Sequence, residues 1–537
     1  MAIANIFSDK KVLVIDDQAG MRSQLQMSLT TSGFEKLHVV ASVKDALTRL
    51  QAGSYDIILS DYFLGDGTNG QQFLEYLRTH DLISRNTIFI MITAERNYES
   101  VVTAAECIPD DYLLKPFTAA QLNLRLEKLI EKQARFAPID KASDAKDWAR
   151  VVAECDRLIS TKDKYFIEAC KIKGAALIKS NRVQEAEALF SEVLAIRPLP
   201  WAKLGLARAV SMNGEKERAA RLAREIVAEH ENFMGAYDFL GGVLAETGDK
   251  EAALDVLQSA RQISPGTLSR TRNVAELAVD TGQHDIAEQV MSEALAKHKY
   301  SPVREARDYA VLSKALSEQG KSDEALKVIK EATGSFRDET SSVMLAASES
   351  AVHYKAGNHE LAEAALSQAL AVNHGSLPPA VVAAVADACF ALGNEEQATD
   401  LLKQMVQNNP DDAKAHERAH AVLVSAGKGE AEAEAMIAAS AQEIIQLNNE
   451  GVRKAQSGQL DEAIVMLCDA ADRLPNNLQI VSNAALALAL DLARNGYNAA
   501  KLVECSRYRQ QVIDKAPDYP KLAQIDATLK KVQNLNG

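Results

Sequence analysis

Glycine returns at Gly214, Gly248, Gly282, Gly320, Gly357, Gly393, Gly427, Gly458 and Gly496, at intervals of 31 to 38 residues. A sustained period constrains a chain more than any local propensity, because units of one size must stack on their neighbours to bury a face that none can bury alone. From Asp147 onward there is no strand pattern, only alternating amphipathic helices. Each glycine precedes a short polar turn and a helix rich in alanine, as in GDKEAALDVL, GKSDEALKVI and GQLDEAIVML. Pro198, Pro265, Pro410, Pro475 and Pro517 close several of the units. Stacked pairs of this kind predict a superhelix with an extended concave surface. The residues after Pro520, with Ile525, Leu529 and Val532, are expected to form a last helix covering its open end.

The remainder of the chain needs a different architecture, and at 537 residues more than one core is expected. With Lys+Arg 60 against Asp+Glu 74 the formal charge is −14, which argues against a chain-wide surface for nucleic acid. The start MAIANIFSDKKVLV has no signal-peptide core, and no apolar run approaches the ~20 residues of a membrane span, so a soluble, cytoplasmic protein is expected. Six cysteines, Cys107, Cys155, Cys170, Cys389, Cys468 and Cys505, are scattered without a close pair, which favours buried thiols in a reducing compartment.

Residues 11 to about 134 alternate strand and helix patterns. The strands are KVLVIDD, KLHVVA, DIILSD, IFIMITA and DYLLKP; the helices fall over 19–32, 43–51, 70–80, 97–106 and 118–134. Five buried strands separated by helices specify an α/β fold, a doubly wound five-stranded parallel sheet. Ligands bind such sheets at the C-terminal strand edge. There the first strand delivers Asp16 and Asp17, the third Asp61, the fourth Thr93 and the fifth Lys115. Three converging carboxylates repel one another, and a divalent cation is the usual way to hold them together. The set suits phosphoryl transfer onto a carboxylate. Asp61 is the expected nucleophile, Asp16 and Asp17 hold Mg²⁺, and Lys115 with the Thr93 hydroxyl binds phosphoryl oxygens. Pro116, directly after the lysine, is expected to make a cis peptide that aims the ammonium.

By these residues the stretch from 9 to about 134 resembles the receiver domain of bacterial two-component response regulators. The resemblance implies Asp61 as phospho-acceptor, Asp16 and Asp17 as the acid pair and Thr93-Ala94 as the switch hydroxyl with its small neighbour. It also implies Tyr112 as the switch aromatic, Lys115-Pro116 as the closing pair, and the backbone carbonyl of Phe63 as a further Mg²⁺ ligand. One departure follows the acceptor: Leu64-Gly65 stands where the family commonly has Met-Pro, in a loop about one residue longer before Gly70. The implied phosphodonor is a sensor histidine kinase or phosphotransfer protein. In such receivers the face made by the fourth helix, fifth strand and fifth helix changes on phosphorylation, and here it adjoins the exit into the repeats, or a second receiver in a homodimer.

The periodic region, with glycine at the turn within each pair and proline after the second helix, resembles the tetratricopeptide repeat (TPR). Residues 448–477 are its clearest copy, and 267–300 and 428–440 are degenerate. The expected organisation is a receiver over 1–135, a linker over 136–146 around Pro138, and a repeat array over 147–537 with a C-terminal capping helix. Two enzyme-like motifs fall inside repeats. His416-Glu417-Arg418-Ala419-His420 fits H-E-x-x-H, but no third zinc ligand is identifiable. Gly320-Lys321-Ser322 resembles the end of a phosphate loop, but Ala315 stands where its first glycine belongs and no strand precedes it. The expectation is a signalling adaptor, not an enzyme, whose repeats bind a protein target, with no nucleic acid or membrane partner. The alternative is a modulator or phosphate sink that restrains a sensor kinase.

Overall fold

A computed structural model describes residues 7–65, 69–94, 109–265, 267–299, 303–516 and 519–535. The chain divides into two compact units, Met1–Arg304 and Glu305–Gly537. Among the described residues no helix is long and apolar enough to cross a membrane.

The first unit opens with the strands β1 (Lys11–Ile15), β2 (Lys36–Val40), β3 (Ile57–Asp61), β4 (Ile88–Thr93) and β5 (Asp111–Leu114), all parallel, in the order β2-β1-β3-β4-β5. The apolar runs are continuous because helices cover both faces of the sheet. Val12, Val14, Ile57, Leu59, Ile90 and Ile92 pack on one side with Leu25, Leu29, Leu122 and Leu126. Leu13, Ile15, Ile58, Phe89 and Met91 pack on the other with Ala46, Phe73, Leu74 and Leu77. The strand order reverses between β1 and β3, so the crevice where such sheets bind ligands lies between Asp16-Asp17 and Asp61. Helices span Ala19–Thr31, Val43–Gln51 and Gly70–Thr79, as the periodicity predicts. The helix expected over 97–106 lies outside the described residues, as does Cys107.

The fifth helix of the sheet domain departs from expectation. In place of an end at 134 and a linker over 136–146, one helix runs from Ala119 to Asp144 with Pro138 inside it. Proline removes one N–H from the ladder, a loss that here is local. On either side of it Phe136, Ile139 and Ala142 are buried against Val151, Val152 and Cys155 of the helix Trp148–Ser160. Tertiary packing therefore carries the helix through a segment whose composition reads as a break.

This continuation is itself the start of the repeat pattern. All nine periodic glycines adopt positive φ, between 74° and 91°. After the first eight of them, Gly214 to Gly458, the following N–H closes back on a carbonyl five residues earlier, for example Glu215 to Val210 at 3.2 Å and Asp249 to Leu244 at 2.9 Å. Asn181 (φ 57°) and Lys146 (φ 53°) make the same turn, with Arg182 bonded to Leu177 at 2.8 Å and Asp147 to Ala142 at 2.9 Å. The series thus begins at Lys146 and Asn181, before the first periodic glycine. The C-terminal half of the helix Ala119–Asp144 is the first member of the first pair. In the first unit the pairs continue through Phe166–Lys179 with Val183–Ile196, Pro200–Met212 with Lys216–Glu229, Met234–Glu246 with Lys250–Ile263, and Leu268–Asp280 with His284–Lys297.

The junction carries a half-buried acid. Asp140 has its carboxyl pushed up to about 6, first by burial and then by the nearby Asp144. The folded state therefore holds this proton more tightly than the unfolded chain. The stabilisation is fully present below about pH 4 and is lost as pH rises towards 6, leaving a half-buried negative charge at neutral pH. Asp140→Asn is expected to stabilise the protein at pH 7.5 by on the order of 1–2 kcal/mol and to give no gain at pH 4. Thermal unfolding of the two proteins at both pH values checks this.

The second unit repeats the helical pairs from Ala306–Glu318 and Ser322–Ser335 onward. Gly320, with φ 77°, is the turn between those two helices, so Gly320-Lys321-Ser322 is a repeat turn. The degenerate stretch 428–440 enters a single 27-residue helix, Glu430–Gln456. The chain closes with the helix Pro520–Leu535, whose Leu522 and Ile525 are buried with Tyr508 and Val512. Cys155, Cys170, Cys389, Cys468 and Cys505 are free and buried, and burial pushes the Cys155 thiol up to about 12, away from thiolate chemistry.

Candidate functional site

Each strand ends where its apolar run meets the sheet edge, and the side chains just past those ends converge. Carboxylate oxygens of Asp16, Asp17 and Asp61 all lie within 4.8 Å of one another. Asp16 and Asp61 are buried, at 1% and 5% exposure, whereas Asp17 is exposed. Lys115 reaches in from β5, its Nζ 2.9 Å from Asp61 Oδ2 and 3.1 Å from Asp16 Oδ2. Its backbone is fixed by a 2.7 Å bond from its N–H to the Thr93 carbonyl, and the Lys115-Pro116 peptide is cis. Thr93 is buried at the end of β4 and Ala94 is exposed beside it. Tyr112 lies on β5, paired with Met91 and half-buried against the same apolar cluster.

The carboxylates are held as well as gathered. Asp61 Oδ1 accepts from the Tyr62 N–H at 2.8 Å, which leaves Oδ2 to Lys115. Asp16 Oδ1 accepts from the Gln18 N–H at 2.8 Å, and Arg22 donates to the Asp16 carbonyl at 2.8 Å. Burial raises the Asp61 carboxyl above its usual range; Lys115 opposes that and the Asp16 charge adds to it. Burial also works against charge on Lys115, but hydrogen bonds to Asp61 and Asp16 outweigh it and its affinity for the proton rises. The two directions agree physically, because three carboxylates face one ammonium. The site carries surplus negative charge and close-packed oxygens, the chemistry a hard divalent cation satisfies. These residues therefore fit Mg²⁺.

Two glycines that shape the site were not singled out as functional by the sequence. Gly70 packs on the acceptor itself: a Cβ there would overlap the Asp61 carbonyl oxygen and lie 2.7 Å from the Met91 sulfur. Gly65, with φ 70°, brings the backbone close to Asp17, where a Cβ would lie 2.9 Å from a carboxylate oxygen. Phe63, 52% exposed, pairs with Asn69 in an isolated bridge that closes the loop after Asp61. For the two glycines the only advance signal was the clustering of glycine and aspartate in that loop. His416 and His420 share a helix, Ala413–Ser425, in the second unit. Among the described residues, Asp16, Asp17 and Asp61 are the one group of three metal-ligating side chains in reach of one another, and it does not include these histidines.

The chain is similar to known proteins in two regions. Residues 12–127 match the response regulator receiver domain family, and residues 204–266 and 348–413 match the tetratricopeptide repeat. The chain is similar to the chemotaxis protein CheY-3 of Vibrio cholerae, 31% identical over 122 residues that cover 23% of this chain and 92% of that protein. It is also similar to the chemotaxis protein CheY of Pseudomonas aeruginosa, 29% identical over 122 residues that cover 23% of this chain and 97% of the relative. Among solved structures, the receiver domain of the Francisella response regulator 1452 is 27% identical, covering 23% of this chain and 98% of that one, with a TM-score of 0.21.

Proposed function

We propose that this chain, which belongs to the response regulator receiver family and carries tetratricopeptide repeats behind its receiver, takes a phosphoryl group on Asp61 and signals by protein binding through the repeats. The observation that carries the reading is the convergence of Asp16, Asp17, Asp61 and Lys115 at the switch point of the sheet. Asp61 Oδ attacks phosphorus in a phosphohistidine or a small acyl phosphate. A P–O bond to the aspartyl oxygen forms, the bond from phosphorus to the donor breaks, and the electron pair leaves with the donor. Lys115 and the Thr93 hydroxyl take phosphoryl oxygens, and Tyr112 and Ala94 form the switch beside Thr93. Asp16, Asp17 and Asp61, with the Phe63 carbonyl, would hold Mg²⁺, which when bound neutralises charge on the phosphoryl oxygens.

The donor is a sensor histidine kinase or phosphotransfer protein, and the receiver, residues 1–135, is the input. The repeats are the output, and their clients are proteins; the molecule acts as a regulator, not an enzyme. A single test covers the input: acetyl phosphate with Mg²⁺ should place one phosphoryl group per chain, mapped by mass spectrometry to Asp61. Lys115→Ala should keep Mg²⁺ binding while losing most of the change that phosphorylation produces, because the ammonium binds phosphoryl oxygen and not the cation. Isothermal titration calorimetry with Mg²⁺, with and without beryllofluoride, reads the two separately. A variant that loses both responses equally would overturn the role given to Lys115. For the output, a pull-down comparing wild type with Asp61→Asn should recover the client in a phosphorylation-dependent manner.

A further inference from the structure

Gln71 and Gln72 open the helix Gly70–Thr79, and both are almost fully buried, at 2% and 3% exposure. Glutamines in the first turn of a surface helix ordinarily face water, so their burial requires a cover with polar partners. The cover over Gln72 is the repeat chain. A capping box orients its amide: Oε1 accepts from the Asn69 N–H at 3.1 Å while the Asn69 side chain accepts from the Gln72 N–H at 2.8 Å. That leaves Nε2 of Gln72 directed at Nε2 of His298, 3.2 Å away. His298 is 4% exposed and caps the C-terminal end of the helix His284–Lys297. One turn along the same face, Tyr76 packs against Leu268, Ala294 and Val303. A receiver helix is thus seated on a repeat pair more than a hundred residues away in sequence.

The same helix is tied to the acceptor. The Gly70 N–H donates to the Tyr62 carbonyl at 2.7 Å, Phe63 and Asn69 are bridged, and Gly70 lies against the Asp61 carbonyl with no room for a Cβ. Movement of the backbone at Asp61 therefore passes to Gln72 without slack. A phosphoryl group adds about −1.5 to −2 charges beside the start of this helix, whose N-terminal dipole is attracted to it. A shift of the helix at Asp61 therefore changes the fit of Gln72 to His298, and a bond of 3.2 Å sits at the upper end of ordinary N–H hydrogen bonds.

We infer that the repeat face of Leu268, Ala294, His298 and Val303 is a docking surface whose partner is the receiver's own helix Gly70–Thr79, and that phosphorylation of Asp61 loosens the dock. This rests on the phospho-acceptor reading and adds the route by which the repeats sense it. The route differs from the face of fourth helix, fifth strand and fifth helix that the family resemblance implies. Coupling is reciprocal, so releasing the dock also changes the lifetime of the phosphoryl group.

Hydrogen exchange on the full chain, read by mass spectrometry with and without Mg²⁺ and beryllofluoride, tests the inference. In wild type, beryllofluoride should protect 57–65 and raise exchange several-fold in 284–298. Tyr76→Ala should show the raised exchange in 284–298 already without beryllofluoride, and gain little more on adding it. His298→Ala serves as a second variant, with the same expectation for 70–79. Protection at 57–65 without change at 284–298 in wild type overturns the coupling and leaves the acceptor reading intact. No protection at 57–65 counts against the acceptor reading, and the coupling falls with it. Unchanged exchange at 284–298 in Tyr76→Ala, together with unchanged exchange at 70–79 in His298→Ala, overturns the dock itself.

Discussion

Asp61→Asn, incubated with Mg²⁺ and acetyl phosphate, should take up no phosphoryl group, while wild type takes up one per chain. The substitution changes one oxygen to an amide nitrogen and keeps the volume of a side chain that is 5% exposed. The Tyr62 N–H and Lys115 both address Asp61 through its carboxylate oxygens, and the amide retains one oxygen for such a donor. The fold is therefore expected to survive, and the loss to be chemical. An amide has no anionic oxygen to attack phosphorus, and Asp16 is already occupied by Gln18 and Lys115. Intact-mass and phosphopeptide measurements read the result. An acid- and base-labile phosphate retained in Asp61→Asn would place the acceptor elsewhere.

Phe190→Ala should destabilise the first repeats by about 3–5 kcal/mol, the usual range for emptying a buried aromatic site. Phe190, 3% exposed, is wedged between two helices at glycines: a Cβ at either Gly174 or Gly205 would overlap its ring. Neither glycine can fill the space that alanine would leave. Leu257 over Gly241 and Leu467 over Gly451 repeat the arrangement in later pairs. The chain has two tryptophans, Trp148 and Trp201, and both pack in the core cluster that contains Phe190. Urea unfolding followed by tryptophan fluorescence therefore reports this region, and a midpoint unchanged from wild type would contradict the packing. The complementary change, Gly174→Ala, overfills the same contact and should cost about 1–3 kcal/mol.

Much of the molecule was legible in the chain because its signals are local. Buried parallel strands need continuous apolar runs, and the acids that end them stand at the edge where the crossovers open a crevice, so the convergence of Asp16, Asp17, Asp61 and Lys115 is legible in the sequence. The nine periodic glycines were equally readable, since a turn at positive φ strains almost any other residue. Asn181 and Lys146 make the same turn without the glycine signal, so two pairs escaped the count.

Local signals in the chain set an acidic site at the edge of an α/β sheet and a stack of helical pairs behind it. How the two are joined follows from packing between residues far apart in the chain. The helix through Pro138 persists because Phe136, Ile139 and Ala142 gain burial against a helix that follows them, a gain no window of sequence displays. The seat of Gln72 and Tyr76 on His298 and Leu268 depends on pairs separated by about two hundred residues. Contacts at that separation depend on how successive repeats place the fifth pair, and the accumulated rotation of stacked helices is a property of their packing, with no local motif to announce it.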